Sequence, residues 1–480
     1  MSLQGALSTA LSSLAAEQRN AALIANNIAN ANTDGYVRRE LPRGEKLVAG
    51  GGAGVETSVA QRAADAALAA ASRAADAAEA YADRMQGTLE VYNKTVGQPA
   101  DETSLPSRLG AFQDALDFLS GSPDDAVAQS QVLATAQNLL DTLHGLDVAL
   151  ADGRAAADLA VARDVETVNT ALANLAENDR QMAQAAARGA STAEYEDRRD
   201  VLLAGIGKVV PIQVHDNGPG RLIVMTDGGN TLLDSTTAHP LRFTHTPVIS
   251  ATATGLAGVT VNGQALRVSE SGSLAASLTL RDRTLPGFAA MLDQTAGALV
   301  TAFQEADTTL SGTAAGLFTT GGSPPVALAG GDDVRGLARD IRLNTQADPE
   351  QGGALWRLRD GMQATSPGQA TDNSFVLRVL SGIEENRSYD SSGGLPGTMS
   401  LPTAAAQVAG LMQSARAVWT DRAESRASQA LQARESLANK TAVNVDDETM
   451  RLLVVQQTYA ATVQVIQAVS DMLKELSEIR

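Results

Sequence analysis

Leu7–Val37 reads LSTALSSLAAEQRNAALIANNIANANTDGYV, and its spacing decides the architecture. Counted from Leu3, apolar side chains fall at Leu3, Leu7, Ala10, Leu14, Ala21, Ile24, Ile28 and Ala31, in steps of four and three with Glu17 as the single polar interruption. That is the period of a helix with a narrow apolar seam. The other end of the chain repeats it at Leu452, Val455, Tyr459, Thr462, Ile466, Val469, Leu473 and Leu476. Asp446, Asp447 and Glu448 stand before that seam, where carboxylates meet free N–H groups and the positive end of a helix dipole, so a helix start near Asp446 is expected. A narrow stripe cannot be buried by its own helix. The two ends are therefore expected to pair with each other or with neighbouring copies. An ordinary coiled-coil dimer shares the period, but the residues between the seam positions argue against it.

Asn26, Asn27, Asn30 and Asn32 crowd the end of the first helix, although Asn competes with the helix for backbone hydrogen bonds. Thr33-Asp34-Gly35 then reads as a turn in which Gly35 takes a positive φ, and Tyr36 follows as an amphipathic anchor. A decorated helix C-cap is the plainer reading of the same residues. The stretch Ser8 to Arg39, centred on Asn26-Asn27-Ile28-Ala29-Asn30-Ala31-Asn32-Thr33-Asp34-Gly35-Tyr36, resembles the N-terminal signature of bacterial flagellar rod, hook and hook-associated proteins. Val443-Asn444-Val445-Asp446-Asp447-Glu448, followed by Gln456-Gln457-Thr458-Tyr459-Ala460 and Val465-Ile466, resembles the closing helix of that family. Tyr195-Glu196-Asp197-Arg198-Arg199-Asp200 and Gly316-Leu317-Phe318 resemble segments of its hook-associated branch.

The resemblance implies a structural subunit of the flagellum that forms the hook–filament junction, with the terminal helices as an inner tube. It marks Leu3, Leu7, Leu14, Ile24, Asn26, Asn27, Ile28, Asn30, Asn32, Gly35 and Tyr36, with Leu452, Val455, Gln456, Gln457, Tyr459, Ile466, Val469, Leu473 and Leu476, as assembly residues. The partners it implies are copies of the chain itself, the hook protein, hook-associated protein 3, an export chaperone and the flagellar type III export apparatus, with an extracellular destination and no cleaved signal. A hook or distal-rod protein shares both end signatures. A cytoplasmic coiled-coil adaptor is the alternative from another class.

Between the ends, Val59 to Val96 is Ala-rich and favours a long helix, interrupted by Pro99 and Pro106. Leu139, Leu143, Leu146 and Leu150, then Val161, Val165, Val168, Leu172, Leu175 and Met182, form helical stripes broken by Asp179, with Gly153 allowing either a bend or one continuous helix. From Val210 the period changes to alternation. Asn217-Gly218-Pro219-Gly220 and Asn262-Gly263 read as turns, the second setting Val259 opposite Leu266, and Leu274, Ala276, Leu278 and Leu280 continue the alternation. Helical spacing resumes at Phe288, Leu292, Leu299, Phe303 and Leu310, and again at Val408, Leu411, Ala415 and Val418, while residues 311–353 read as extended or looped connections. The expected fold is α+β and multidomain: terminal coiled-coil-like helices (1–45 plus 440–480), a long-helix bundle body (46–205 plus 285–439) and an inserted small β domain (206–284).

Composition narrows the chemistry. The 480 residues carry 37 Lys+Arg against 55 Asp+Glu, a net charge of −18, which argues against a phosphate-binding surface and hence against nucleic acid. With no Cys there is no disulfide, thiolate ligand or thiol nucleophile. His-Glu-x-x-His, P-loop and Gly-x-Ser-x-Gly patterns are missing, so neither an enzyme nor a cofactor or metal site is expected. His215, His239 and His245 match no common zinc spacing, and Asp332-Asp333 suits a solvated loop. The N-terminus has no basic residue before Arg19 and no long apolar run, and the longest apolar cluster, Leu452 to Val455, is far below a membrane span. Soluble subunits exported without the general secretory signal are expected.

Overall fold

The computed structural model describes residues 3–48, 51–98, 101–320, 327–328, 333–395 and 397–478. Helix α1 (Leu3–Ala29) leads into two antiparallel pairs, β1 (Arg39–Glu40) with β4 (Gln61–Arg62) and β2 (Arg43–Val48) with β3 (Gly51–Thr57). Gly51, Gly52 and Gly54 lie in β3, where the lack of side chains hides the alternation that marks a strand. Helix α2 (Ala66–Val96) starts where the Asp65 carboxylate accepts the N–H groups of Ala67 and Leu68, both at 3.0 Å. Next come α3 (Leu105–Gly121), with Pro106 in its first turn, and α4 (Ala126–Ala187).

Helix α4 runs unbroken through Gly153, 62 residues or roughly 90 Å at the helical rise. Gly153 is there for contact: a Cβ would lie 3.1 Å from Leu285. Helix α5 (Ala193–Val209) extends past residue 206, and strands begin only at β5 (Ile212–Asp216). With β6 (Leu222–Thr226), β7 (Thr231–Asp234) and β8 (Thr237–Ala238) it forms a four-stranded antiparallel meander. A second sheet joins β9 (Leu241–Arg242), β10 (Thr260–Val261) and β11 (Gln264–Ala265). Its hairpin closes as expected, with Val261 opposite Gln264, Asn262 and Gly263 at φ 51° and 76°, and Leu266 N–H donating to Val259 O at 2.9 Å.

The alternation at Leu274, Ala276, Leu278 and Leu280 is not a strand. These residues form α6 (Ser273–Thr279) and a π-turn at Leu280–Thr284. Residues 273–277 are all buried, among α2, α4 and α5, and a short run buried on every side has no polar face to reveal its period. Helix α7 (Leu285–Ala306) stops before Leu310. Within 311–353 the described residues include the pair β12 (Phe318–Thr319) and β13 (Arg342–Leu343) and the short α8 (Leu337–Asp340). Then follow α9 (Arg357–Asp360), α10 (Ser374–Glu384), the pair β14 (Arg387–Tyr389) and β15 (Gly397–Met399), α11 (Leu401–Thr441) and α12 (Val445–Glu478).

Two hydrophobic cores result. The larger joins α2, α3, the first half of α4, α7, α10 and α11 around the mutually packed rings of Phe112, Phe303 and Phe318. The smaller seats the sheets against the second half of α4 and α5. Among the described residues, neither core contains one from α1 or α12.

Candidate functional site

Helices α1 and α12 pack against each other, and the β2–β3 hairpin covers another side of α1. Ala10, Ala16 and Ile24 from one helix and Val455 and Val469 from the other are buried, while Leu3, Leu7, Leu14, Ile28, Leu452, Ile466 and Leu473 are half-buried along the same line. Gln456 and Gln457 are exposed, and Tyr459 is 38% exposed despite its seam position. The side chain of Leu476 lies outside the described residues. Glu17, the polar interruption, is buried because Arg43 from β2 grips it with two hydrogen bonds, 2.7 and 3.1 Å.

The asparagine cluster is a knot rather than decoration. Asn27 is 1% exposed and uses all its hydrogen-bonding capacity: Oδ1 accepts from the Tyr36 hydroxyl at 2.8 Å and the Arg39 N–H at 3.2 Å. Its Nδ2 donates to Arg39 O at 2.9 Å and to Glu448 Oε2 at 3.2 Å. One side chain thus joins α1, the returning loop and α12. Asn26 Oδ1 lies 3.1 Å from the same Tyr36 hydroxyl, and Asn30 Nδ2 donates to Asn26 O at 2.9 Å, whereas Asn32 is exposed. Burial pushes the Tyr36 phenol up, against the Arg39 guanidinium 4.9 Å from its ring centre. Gly35 has φ 76°, and a Cβ there would sit 2.4 Å from Val201 of α5, so both conformation and space require glycine.

Glu448 has a role that its neighbours do not predict. It is 1% exposed, accepts from Asn27 and from Arg451 Nη1 at 3.0 Å, and so faces inward. The cap of α12 is supplied by Asn444, whose Oδ1 accepts the N–H groups of Asp446 at 3.0 Å and Asp447 at 3.4 Å. The helix accordingly begins at Val445.

Sequence period also missed a second stripe on α12. Met450, Val454, Ala461, Val465, Ala468 and Met472 are exposed, the four large ones between 44% and 61%, with Leu453 at their flank. At 100° per residue they centre about 120° round the helix from the seam that meets α1, as a second face rather than part of it. Counting consecutive apolar residues finds no membrane-length run. Yet one window within Leu401–Glu475 is apolar enough, by length and composition, to cross a membrane, and only 11% of it is buried. Interleaved polar residues divide this apolar surface into two faces. The first two residues of the stripe, Met450 and Val454, line with Leu23, Leu41 and Arg43 a groove of about 740 Å³ between α1, α12 and the β1–β2 segment.

No group of three or more His, Cys, Asp or Glu able to hold a metal occurs among the described residues. His245 Nδ1 instead lies 2.7 Å from the buried Asp158, which also takes Arg281 Nη1 at 2.6 Å and the Thr246 N–H at 2.8 Å. Burial alone would raise this carboxyl, but those donors hold it below the ordinary carboxylate range. Asp332 lies outside the described residues, and Asp333 is paired with Arg335.

Three sequence families match this chain: the flagellar hook-associated protein FlgK helical domain over 89–318, the flagella basal body rod protein over 7–36, and the C-terminal region of the flagellar basal body rod FlgEFG proteins over 438–479. Flagellar hook-associated protein 1 of Bacillus subtilis (strain 168) is 26% identical over 226 residues, 45% of this chain and 44% of that protein. Its counterpart in Salmonella typhimurium is 26% identical over 299 residues, 60% of this chain and 53% of that one. The chain spans about half the length of the curated relatives it matches. The structure of the flagellar hook junction protein FlgK from Burkholderia pseudomallei aligns with a TM-score of 0.45 at 18% identity, covering 52% of this chain and 46% of that one.

Proposed function

We propose that this chain is a member of the FlgK family of flagellar hook-associated proteins and a structural subunit of the hook–filament junction that polymerises through its terminal helices. The observation that carries the reading is the division of labour on α12. One stripe is covered by α1 of the same chain, and a second stripe about a third of a turn away, Met450–Val454–Val465–Met472, is left exposed. Scattered exposed apolar residues are ordinary on a monomer, but six in helical register along one face fit a surface completed by a neighbour. The seam residues then hold the pair together within the subunit, and the outward stripe meets the next copy. The hook protein and hook-associated protein 3 are the neighbours proposed along the axis, and a chaperone with the type III apparatus the export route, on the strength of the family alone. A hook or distal-rod role is disfavoured because the match over 89–318 is to the hook-associated helical domain.

Val454→Asp tests this directly. It places a carboxylate on the outward stripe without touching the seam, so the secreted variant should keep the parent's helix content and melting yet fail to restore filaments in cells lacking the protein. Those cells should carry hooks without filaments; absent hooks would place the chain in the hook or rod. Normal filaments with Val454→Asp would refute the outward stripe as the assembly face.

A further inference from the structure

Among the described residues the terminal pair shares no apolar core with the body, and the contact between them is made largely of charge. Arg39 and Arg62 are cross-strand partners in the β1–β4 ribbon. The Arg62 side chain is only 4% exposed, and its Nε lies 2.8 Å from Asp197 Oδ1, its Nη2 2.6 Å from Asp200 Oδ2 and its Nη1 3.5 Å from Glu196 Oε2. Arg39 Nη2 reaches Asp197 Oδ2 at 3.2 Å. All three carboxylates project from the first two turns of α5, so two arginines of one ribbon grip one helix end. Burial alone would lower the Arg62 guanidinium, but Asp200, Asp197 and Glu196 outweigh it and hold it above its ordinary value. Other ties are the Arg38 N–H on Thr441 O at 2.8 Å, Gly35 against the half-exposed Val201, and two non-helical joints, 63–65 between β4 and α2 and 442–444 between α11 and α12.

We propose that Arg39 and Arg62 with Glu196, Asp197 and Asp200 form an ionic clasp that fixes the orientation of the terminal helix pair on the body, and that releasing it frees the pair to swing as a unit. Salt would not loosen an apolar interface, whereas this one is held by pairs that salt screens and that a single substitution unbalances. Removing the Arg62 charge leaves three carboxylates facing one another, with Arg39 on Asp197 and Arg73 of α2 near Asp200 to answer them. The clasp is a property of the isolated chain and stands whether or not the outward stripe is the assembly face.

The cysteine-free sequence allows clean labelling at two exposed positions, Gln464→Cys on α12 and Glu166→Cys on α4. Pulsed electron spin resonance should give one narrow distance distribution for the otherwise unaltered chain at low salt. Its width should roughly double in Arg62→Gln, increase less in Arg62→Lys, and increase in the unaltered chain at about 1 M salt, where the screening length falls to ~3 Å. The body's melting transition should be unchanged in both variants. An unchanged width in Arg62→Gln, a broad distribution already present at low salt, or loss of the body's transition would each overturn the clasp.

Discussion

Helices α7 and α12 carry the same kind of apolar period and end in opposite situations. Helix α7 buries 14 of its 22 residues, among them Leu285, Leu292, Leu299 and Phe303, because α4, α8, α10 and α11 surround it. Among the described side chains of α12 only Glu448, Val455 and Val469 are buried, although the helix has 34 residues. Period reports that a helix has apolar faces; it does not report how many of them the same chain will cover. The body is therefore stabilised by burial within the chain, and the terminal pair by one seam and one hydrogen-bonded knot.

The largest expected effect lies in the body. Phe303→Ala empties the centre of the Phe112–Phe303–Phe318 cluster and should cost about 3–5 kcal/mol, lowering the main calorimetric transition by many degrees. Val469→Ala should cost only about 1 kcal/mol and leave that transition in place. Equal shifts would mean that the two regions melt as one unit.

The body also contains a pH signature in the acid range. Asp293 is 1% exposed and accepts the N–H groups of Gly336 and Ala338, both at 2.8 Å, and burial raises its carboxyl from 3.8 to about 6. Because the folded pKa is the higher one, the folded state holds this proton where the unfolded chain has lost it, and the group's destabilising contribution grows as pH rises through that window. Between pH 4 and 7 the unaltered chain should accordingly gain, on acidification, up to about 3 kcal/mol relative to Asp293→Asn. Parallel stability profiles for the two proteins in denaturant titrations would remove Asp293 from the account.

Asn27→Ala sharpens the comparison from the other side. It strips partners from Glu448 and the Tyr36 hydroxyl at once, and should destabilise the terminal pair by about 1–3 kcal/mol while sparing the body. Loss of protection confined to α1 and α12 in hydrogen exchange would show this. In the unaltered chain the same experiment should rank amides of α12 below those of α7, since local opening costs least where little apolar surface is buried. Equal protection would break the contrast on which these expectations rest.

Much of this was legible from residue spacing. The seams at both ends, the stripes of α4, the core positions of α7 from Phe288 to Phe303, and the Asn262-Gly263 turn all follow from local period or backbone preference. The β2–β3 hairpin and α6 were not, the first because glycines carry no pattern and the second because complete burial erases one. Within the terminal pair, spacing marked Asn26, Asn27 and Asn30 as unusual but could not name their partners. Tyr36 is ten residues from Asn26, whereas Glu448 is 421 positions from Asn27.

The sequence by itself determined where the longest helices lie, that the two at the ends carry narrow stripes, and that the catalytic motifs sought are missing. Those properties depend on residues within a few turns of one another. Only the tertiary structure decided that the Ile466 seam is satisfied by α1 and the Val454 stripe is not, that Glu448 faces inward, and that Arg62 meets α5. Burial and ion pairing are sums over neighbours brought from distant parts of the chain, so no local pattern contains them.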